Sequence, residues 1–239
     1  SAWAGLSPKR FALALAAARG RVSLAEGRDV LGAALDAGLS GPGRLHDVLV
    51  TVDACAPGDV GRRGAGLALH FGVGPSPFGE AFVATTARGV HRLAFADDPA
   101  DLSRAVEALR RTWPRATFTR DDGVAAEVLT RAFPATSRPR PLHLWVRGTN
   151  LHLAVWRALV ALPPGARTTY ADLAAVVAAP RAVRAVANAV AANPVAWVVP
   201  CHRVLRSDGA LAGYAWGLDR KAAMLGWEAA RGASLRPAP

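Results

Sequence analysis

The chain has 239 residues, 51% of them hydrophobic, and a formal net charge of +11. That is enough apolar content for folded domains, and a length that suggests two or three small units rather than one core. The positive balance points to an anionic partner, because Lys and Arg release counterions from phosphates. Only Lys9 and Lys221 among the 29 basic residues are lysines, however, and an alanine- and arginine-rich composition is also what a GC-rich genome produces. Residues 148–239 carry 10 basic and 4 acidic side chains, against 8 and 6 in residues 1–63, so the excess charge sits towards the C-terminus. Cys55 and Cys201 are far apart, which supports neither a disulfide framework nor a thiolate metal cluster. No metal and no cofactor are expected. The apolar run Phe11–Ala18 is too short for a membrane span and no signal peptide is recognisable, so a cytoplasmic, membrane-free monomer is expected.

Taken in chain order, residues 8–19 and about 24–35 read as helices, the first stopped by Gly20. Ala37-Gly38-Leu39-Ser40 then gives a glycine turn and a serine cap, followed by Pro42 to His46 and the apolar Val48-Leu49-Val50. This is the layout of a helix-turn-helix, and it resembles the second of the paired units in AraC-type regulators, without the first unit. The stretch is poor in basic readers, so it equally reads as a small helical bundle serving as packing or linker. It is assigned to residues 1–62. Cys55, set among Ala54, Ala56 and Pro57, reads as an inert filler.

After Arg62-Arg63-Gly64 the period changes. Gly66–Val73, Phe78–Thr86 and Gly89–Phe95 are short apolar or alternating runs split by Gly, Pro and Asp, which predicts an antiparallel meander. Leu102, Val106 and Leu109 then recur at helical spacing up to Trp113-Pro114, and a further helix is predicted over 123–133. Asp97-Asp98 and Asp121-Asp122 read as turns and caps rather than a metal-binding carboxylate set. Arg138-Pro139-Arg140-Pro141 reads as an extended connection, closing a unit of residues 63–147.

The last unit, residues 148–232 with a 233–239 tail, opens on a helix carrying Leu153, Val155, Trp156 and Leu159 and ended by Pro163-Pro164-Gly165. Thr169 caps a short helix starting at Tyr170, and Pro180 begins another containing Arg184, Ala185 and Ala189, a second helix-turn-helix with small residues along its reading face. Next comes Asn193-Pro194-Val195-Ala196-Trp197-Val198-Val199-Pro200-Cys201-His202-Arg203-Val204. An apolar run stopped by proline delivers one thiol to an edge, beside an imidazole that can take its proton and a cationic Arg203, the company a nucleophilic cysteine needs.

The frame Pro200-Cys201-His202-Arg203-Val204, with Asn193-Pro194 before it and Gly213-Tyr214 and Lys221 after it, resembles the methylated-DNA–protein-cysteine methyltransferases. Gly213-Tyr214-Ala215-Trp216-Gly217 is most similar to the C-terminal half of Ada-type regulators. The resemblance implies a mixed α/β (α+β) protein: a ribonuclease H-like (RNase H-like) platform over 63–147, and a winged-helix domain bearing the acceptor cysteine over 148–232. It implies double-stranded DNA carrying O6-alkylguanine as partner, and irreversible methyl transfer from O6-methylguanine, or O4-methylthymine, to Cys201. The alternative is a DNA-binding regulator that uses self-methylation as an alkylation sensor. The base must be flipped out to be reached. On the resemblance, Arg184 fills its vacated place, with Ala185 and Ala189 at the DNA, and Tyr170 contacts the flipped guanine and its phosphate. His202, oriented by Glu228, takes the thiol proton through a water, and Asn193 braces the turn. Val204, Tyr214, Ala215, Trp216 and Lys221 belong to the substrate pocket. Trp216 is bulkier than the glycine of other members, which predicts a narrower pocket that favours methyl over benzyl adducts.

Overall fold

The computed structural model describes residues 50–134, 141–163 and 165–234. The expected helices over 8–19 and 24–35, most of the helix-turn-helix reading, the 135–140 connection, Pro164 and the 235–239 tail lie outside them.

At the centre of the platform are three antiparallel strands, β2 (Ala68–Ser76), β3 (Gly79–Thr86) and β4 (Gly89–Ala96). Their register pairs Val73 with Phe82 and Val83 with Leu93. Strand β3 alternates Ala81 and Val83 towards one face and Phe82 and Ala84 towards the other, and all four are buried. It therefore needs cover on both sides.

Helix α2 (Pro99–Thr112) supplies one layer, burying Ala105 and Leu109 against Phe82 and Ala84. Helix α3 (Asp122–Ala132) supplies part of the other through Ala125, Val128 and Leu129. Both begin at the aspartates read as caps: Asp98 accepts from the Asp101 amide and Asp121 from the Val124 amide. Each such cap stabilises its helix by about 1 kcal/mol. Gly72 lies beneath the start of α3, where a Cβ would come within 2.4 Å of the Asp121 carbonyl oxygen. Any larger residue there would push the helix off the sheet.

Three further strands were not read from the sequence. Strand β1 (Val50–Ala54) pairs in parallel with β6 (Leu142–Val146), and β5 (Thr117–Arg120) pairs in parallel with β2. The sheet order is β1-β6-β4-β3-β2-β5. Among the described residues β1 is followed by the short helix α1 (Pro57–Gly61), so residues 50–61 are a sheet strand and one helical turn rather than the end of a helix-turn-helix. Val50 and Val52 alternate with polar neighbours, a period-2 signal that the nearby helical pattern masked.

The C-terminal unit packs helix α4 (Asn150–Val160) against α5 (Tyr170–Val176) and α6 (Val183–Ala191). Thr149 caps α4, its side chain accepting from the His152 amide while His152 Nδ1 accepts from the Thr149 amide. Trp156 Nε1 donates to the Ala189 carbonyl at 2.8 Å, fixing α4 to α6. Helix α6 starts at Val183, later than Pro180. Helix α7 (Leu218–Ser234) closes the unit.

A single buried cluster runs from Val83, Leu93 and Phe95 of the sheet to Trp156, Val186, Val199 and Met224 of the C-terminal unit. The two units therefore share a core. Where β6 parts from β4 after the Val90–Leu144 pair, the segment before the cysteine takes its place: Leu93 donates to the Pro194 carbonyl, and the Ala196 amide donates to the Leu93 carbonyl. Arg220 bridges the units, donating to the Phe78 and Trp216 carbonyls and to Asp97, with its guanidinium 5.1 Å from the Phe95 ring centroid.

Candidate active site

The run Val195–Val199, joined to the sheet at its start and then turning back on itself, ends at Pro200, and Cys201–Arg203 form one turn of 3₁₀ helix. Asn193 holds that turn. Its Oδ1 accepts from the Val195 amide at 2.9 Å, and its Nδ2 donates to the Val199 carbonyl at 2.8 Å and to Cys201 Sγ at 3.0 Å. The bracing role is joined by a direct contact with the sulfur, which the sequence did not suggest.

Cys201 is 5% exposed. Burial pushes its thiol up to about 11, against the opposing pull of the Asn193 bond and the Lys221 charge. The resting group is therefore a thiol, and a base is needed when it reacts.

His202 is fully buried, and its Nε2 lies 2.9 Å from Glu228 Oε1. Burial lowers its proton affinity although Glu228 opposes the shift. For Glu228, burial would raise the carboxyl, but the His202 hydrogen bond and the Arg203 charge prevail and hold it below its ordinary value. Near neutrality the pair is consequently a neutral imidazole and a carboxylate. A carboxylate only accepts, so the Nε2 proton points at it and the lone pair resides on Nδ1. That nitrogen is buried and has no hydrogen-bond partner among the described residues. The ring is a base with its accepting atom free.

Arg203 does not stand beside the thiol as a cationic neighbour. Its Nε and Nη2 grip Glu228 at 2.7–3.1 Å, and Nη1 reaches the Leu162 and Pro163 carbonyls. The guanidinium holds the carboxylate in place, and the nearby positive charge on the thiol comes from Lys221 instead. Lys221 is fully buried, with Nζ donating to the Val204 carbonyl at 2.7 Å and the Ala212 carbonyl at 3.2 Å. It ties the residues after the cysteine to the loop before α7.

Tyr170 is brought close by a parallel two-stranded ladder, β7 (Thr168–Thr169) with β8 (Val204–Leu205). Thr169 caps α5 by accepting from the Asp172 amide, so Tyr170 starts the helix one residue beyond the ladder that also carries the buried Val204. Burial, and then the neighbouring Cys201 sulfur, raise its hydroxyl above the ordinary value. Tyr214 is shifted the same way for the same two reasons, and donates to Met224 Sδ at 3.3 Å. Trp216 meets Tyr214 at 5.2 Å and Phe95 of the platform at 6.2 Å, both edge to face, and Ala215 is exposed between them.

On α6, Arg184 and Ala185 are exposed, whereas Ala189 is completely buried. The 3.6-residue period turns Val186, Ala189 and Val190 into the core, so Ala189 is a packing residue and not a DNA contact. Asn188 is exposed on the side of Arg184 and Ala185. Trp197 was also missed as a site residue. Its ring stacks on His202, 5.1 Å between centroids and 5° between planes. The only sequence signal was an aromatic in an otherwise aliphatic run.

A mixed α/β fold that presents a buried thiol, a carboxylate-held histidine and two tyrosines around the same sulfur defines a cysteine-nucleophile protein. Residues 150–230 match the family model described as 6-O-methylguanine DNA methyltransferase, DNA binding domain. The chain is 34% identical over 157 residues to the methylated-DNA–protein-cysteine methyltransferase of Methanosarcina barkeri, covering 66% of this chain and 95% of that protein. It is 34% identical over 228 residues to the bifunctional transcriptional activator/DNA repair enzyme Ada of Escherichia coli, covering 94% of this chain. It spans only 64% of that relative's length. The crystal structure of Mycobacterium tuberculosis OGT in complex with DNA superposes with a TM-score of 0.55 at 30% identity, over 68% of this chain and 94% of that one. The chain belongs to the methylated-DNA–protein-cysteine methyltransferase family. Among the described residues no helix is long and apolar enough to cross a membrane.

Proposed function

We propose that this chain is a single-turnover repair protein that moves the methyl group of O6-methylguanine in double-stranded DNA onto Cys201. The observation that carries the reading is the buried Nδ1 of His202, held free by Glu228 one residue after the thiol. A thiol raised to about 11 is a poor nucleophile until its proton leaves. In the proposed step Cys201 Sγ attacks the methyl carbon in line with the O6–C bond. The S–C bond forms as the O–C bond breaks, the electron pair stays with guanine, and the thiol proton passes through a water to His202 Nδ1. The Tyr170 hydroxyl donates to the purine as negative charge develops there, and the proton taken by His202 balances the one guanine finally gains.

The product is a thioether, so each chain acts once. The exposed Arg184 and Ala185 on α6 face DNA, with Arg184 filling the place of the flipped base. Tyr214, Ala215 and Trp216 wall the base pocket, and the Trp216 ring narrows it against benzyl adducts. Replacing Trp216 with Gly is expected to raise the reaction rate with benzylguanine while changing the methyl reaction less, measured by single-turnover kinetics.

The test of the main reading is intact mass after incubation with a duplex carrying O6-methylguanine. A gain of one methylene per chain that is absent in Cys201→Ala is the expected result. Tight lesion binding without any mass gain would leave a lesion sensor as the better account. A second reading, a regulator that senses alkylation, is favoured by a match to Ada that extends over 94% of the chain and so into the segment before β1. A promoter footprint that strengthens after self-methylation and is lost when the residues before β1 are deleted would support it.

A further inference from the structure

Trp197 adopts φ = 65°, a left-handed conformation that a bulky side chain takes up only when its surroundings over-determine it. Those surroundings are specific. The indole Nε1 donates to the Ala132 carbonyl at the end of α3 at 2.9 Å. Its ring stacks on Phe133 (5.1 Å, 28°), meets Trp227 edge to face (5.1 Å) and lies 5.2 Å from Phe78. Trp227 immediately precedes Glu228, the carboxylate that fixes His202 Nε2. The almost parallel stack on His202 leaves the imidazole held at one edge by Glu228 and on a face by Trp197.

We propose that Trp197 is a positioning residue for the proton transfer. Its indole holds the His202 ring so that Nδ1 is kept for the Cys201 proton, it stabilises the imidazolium formed when that proton arrives, and it anchors both to the end of α3. This inference rests on the methyl transfer proposed above. A stacked indole does two things that an aliphatic side chain of similar bulk does not: it restricts rotation out of the ring plane, and its negative face favours a cation. The other charged or titratable groups acting on His202 are Glu228 and Lys221 on α7 and Arg203 in its own turn, with Cys201 beside it, and substitution of Trp197 removes none of them.

The experiment compares Trp197→Leu with Trp197→Phe in the full chain, using a duplex with one O6-methylguanine. Trp197→Met replaces the leucine variant should that chain fail to fold. The non-aromatic variant is expected to transfer about tenfold more slowly, the size of one cation–π contact, and the phenylalanine variant to recover most of the rate. Lesion-duplex affinity, measured with Cys201→Ser added to each variant, is expected to stay within about twofold of the Cys201→Ser parent. His202 is titrated by nitrogen NMR without DNA, which reads the stack even if transfer itself were absent. Its pKa is expected to fall in the leucine variant and to return towards the parent value in the phenylalanine variant. Equal rates in all three chains, an equal loss in the Leu and Phe variants, or a His202 pKa that rises on removal of the ring would overturn the proposal. A parent chain that never methylates Cys201 would instead remove the transfer reading beneath it, whatever the titration showed.

Discussion

Two histidines are buried in the described structure, one in each unit, and they differ by a single nitrogen. His91 lies in the platform with both ring nitrogens engaged: Nδ1 meets the Trp145 carbonyl at 2.9 Å and Nε2 accepts from Trp113 Nε1 at 2.9 Å. His202 has one nitrogen held by Glu228 and the other unpartnered. Burial lowers the proton affinity of both. A buried imidazole with two partners is a neutral bracket between aromatic rings, whereas one with a free lone pair is a base waiting for a proton. The cysteines differ in their partners too. Cys55 is pushed up to about 12 by burial and then by the Asp59 charge, with Arg147 and Arg88 pulling the other way, while Cys201 has no carboxylate adding to its burial and has the Asn193 bond and the Lys221 charge working against it. Burial alone therefore does not mark a reactive group. The partners left over after folding do.

The sharpest way to break this contrast is to disable the base. His202→Gln is expected to slow methyl transfer by about 10²–10⁴-fold, the range of a lost general base. Glu228→Gln should lose somewhat less, since it leaves the ring but frees its tautomer. A His202→Gln chain reacting at the parent rate in single-turnover assays would show that the thiol proton leaves by another route.

His91 should show the opposite behaviour. Its folded value of about 4 lies below the ordinary 6.5, so the unfolded chain takes up the proton first as pH falls. The neutral ring's contribution is whole above about 6.5 and is lost as pH drops towards about 4, roughly 3 kcal/mol over that window. His202 is shifted in the same direction and adds to the loss. His91→Phe should flatten the acid limb seen in denaturant titrations at a series of pH values. It should cost about 1–3 kcal/mol at neutral pH by stranding the Trp113 N–H, and leave the methyl-transfer rate within about twofold.

Asn193→Ala comes next in size. It removes a contact to the sulfur and the brace on the turn, and should slow transfer by about tenfold, the value of one hydrogen bond to a charged group. Slower alkylation of Cys201 by iodoacetamide across a pH series should accompany it, because the lost bond favours the thiolate. At the bottom of the scale, Cys55→Ala should leave both transfer and the methylated mass unchanged. A measurable effect on transfer would mean that the platform is not chemically silent.

Much of this was readable from local pattern. The three meander strands, the capping aspartates and the helices on either side of the cysteine obey periods and end signals that act within a few residues. The couple of Cys201 and His202 is adjacent in sequence, so its recognition needed no fold. Glu228, Tyr170, Asn193 and Arg184 were assigned through a family frame, and the structure brings Glu228 and Asn193 into direct contact with the pair.

What the sequence by itself determined is therefore the meander strands, their flanking helices and the adjacent thiol and imidazole of Cys201 and His202. Only the tertiary structure decided the rest. Parallel pairing placed β1 beside β6 although about 90 residues separate them, and helix phase turned Ala189 inward while leaving Arg184 out. Arg203 was committed to Glu228, leaving Lys221 as the charge near the sulfur, and Trp197 was laid on the His202 ring. The physical reason is common to all of these. Backbone propensity and capping act along the chain, but which face is buried, which nitrogen keeps its lone pair and which ion pair forms depend on groups that meet only after the core has closed.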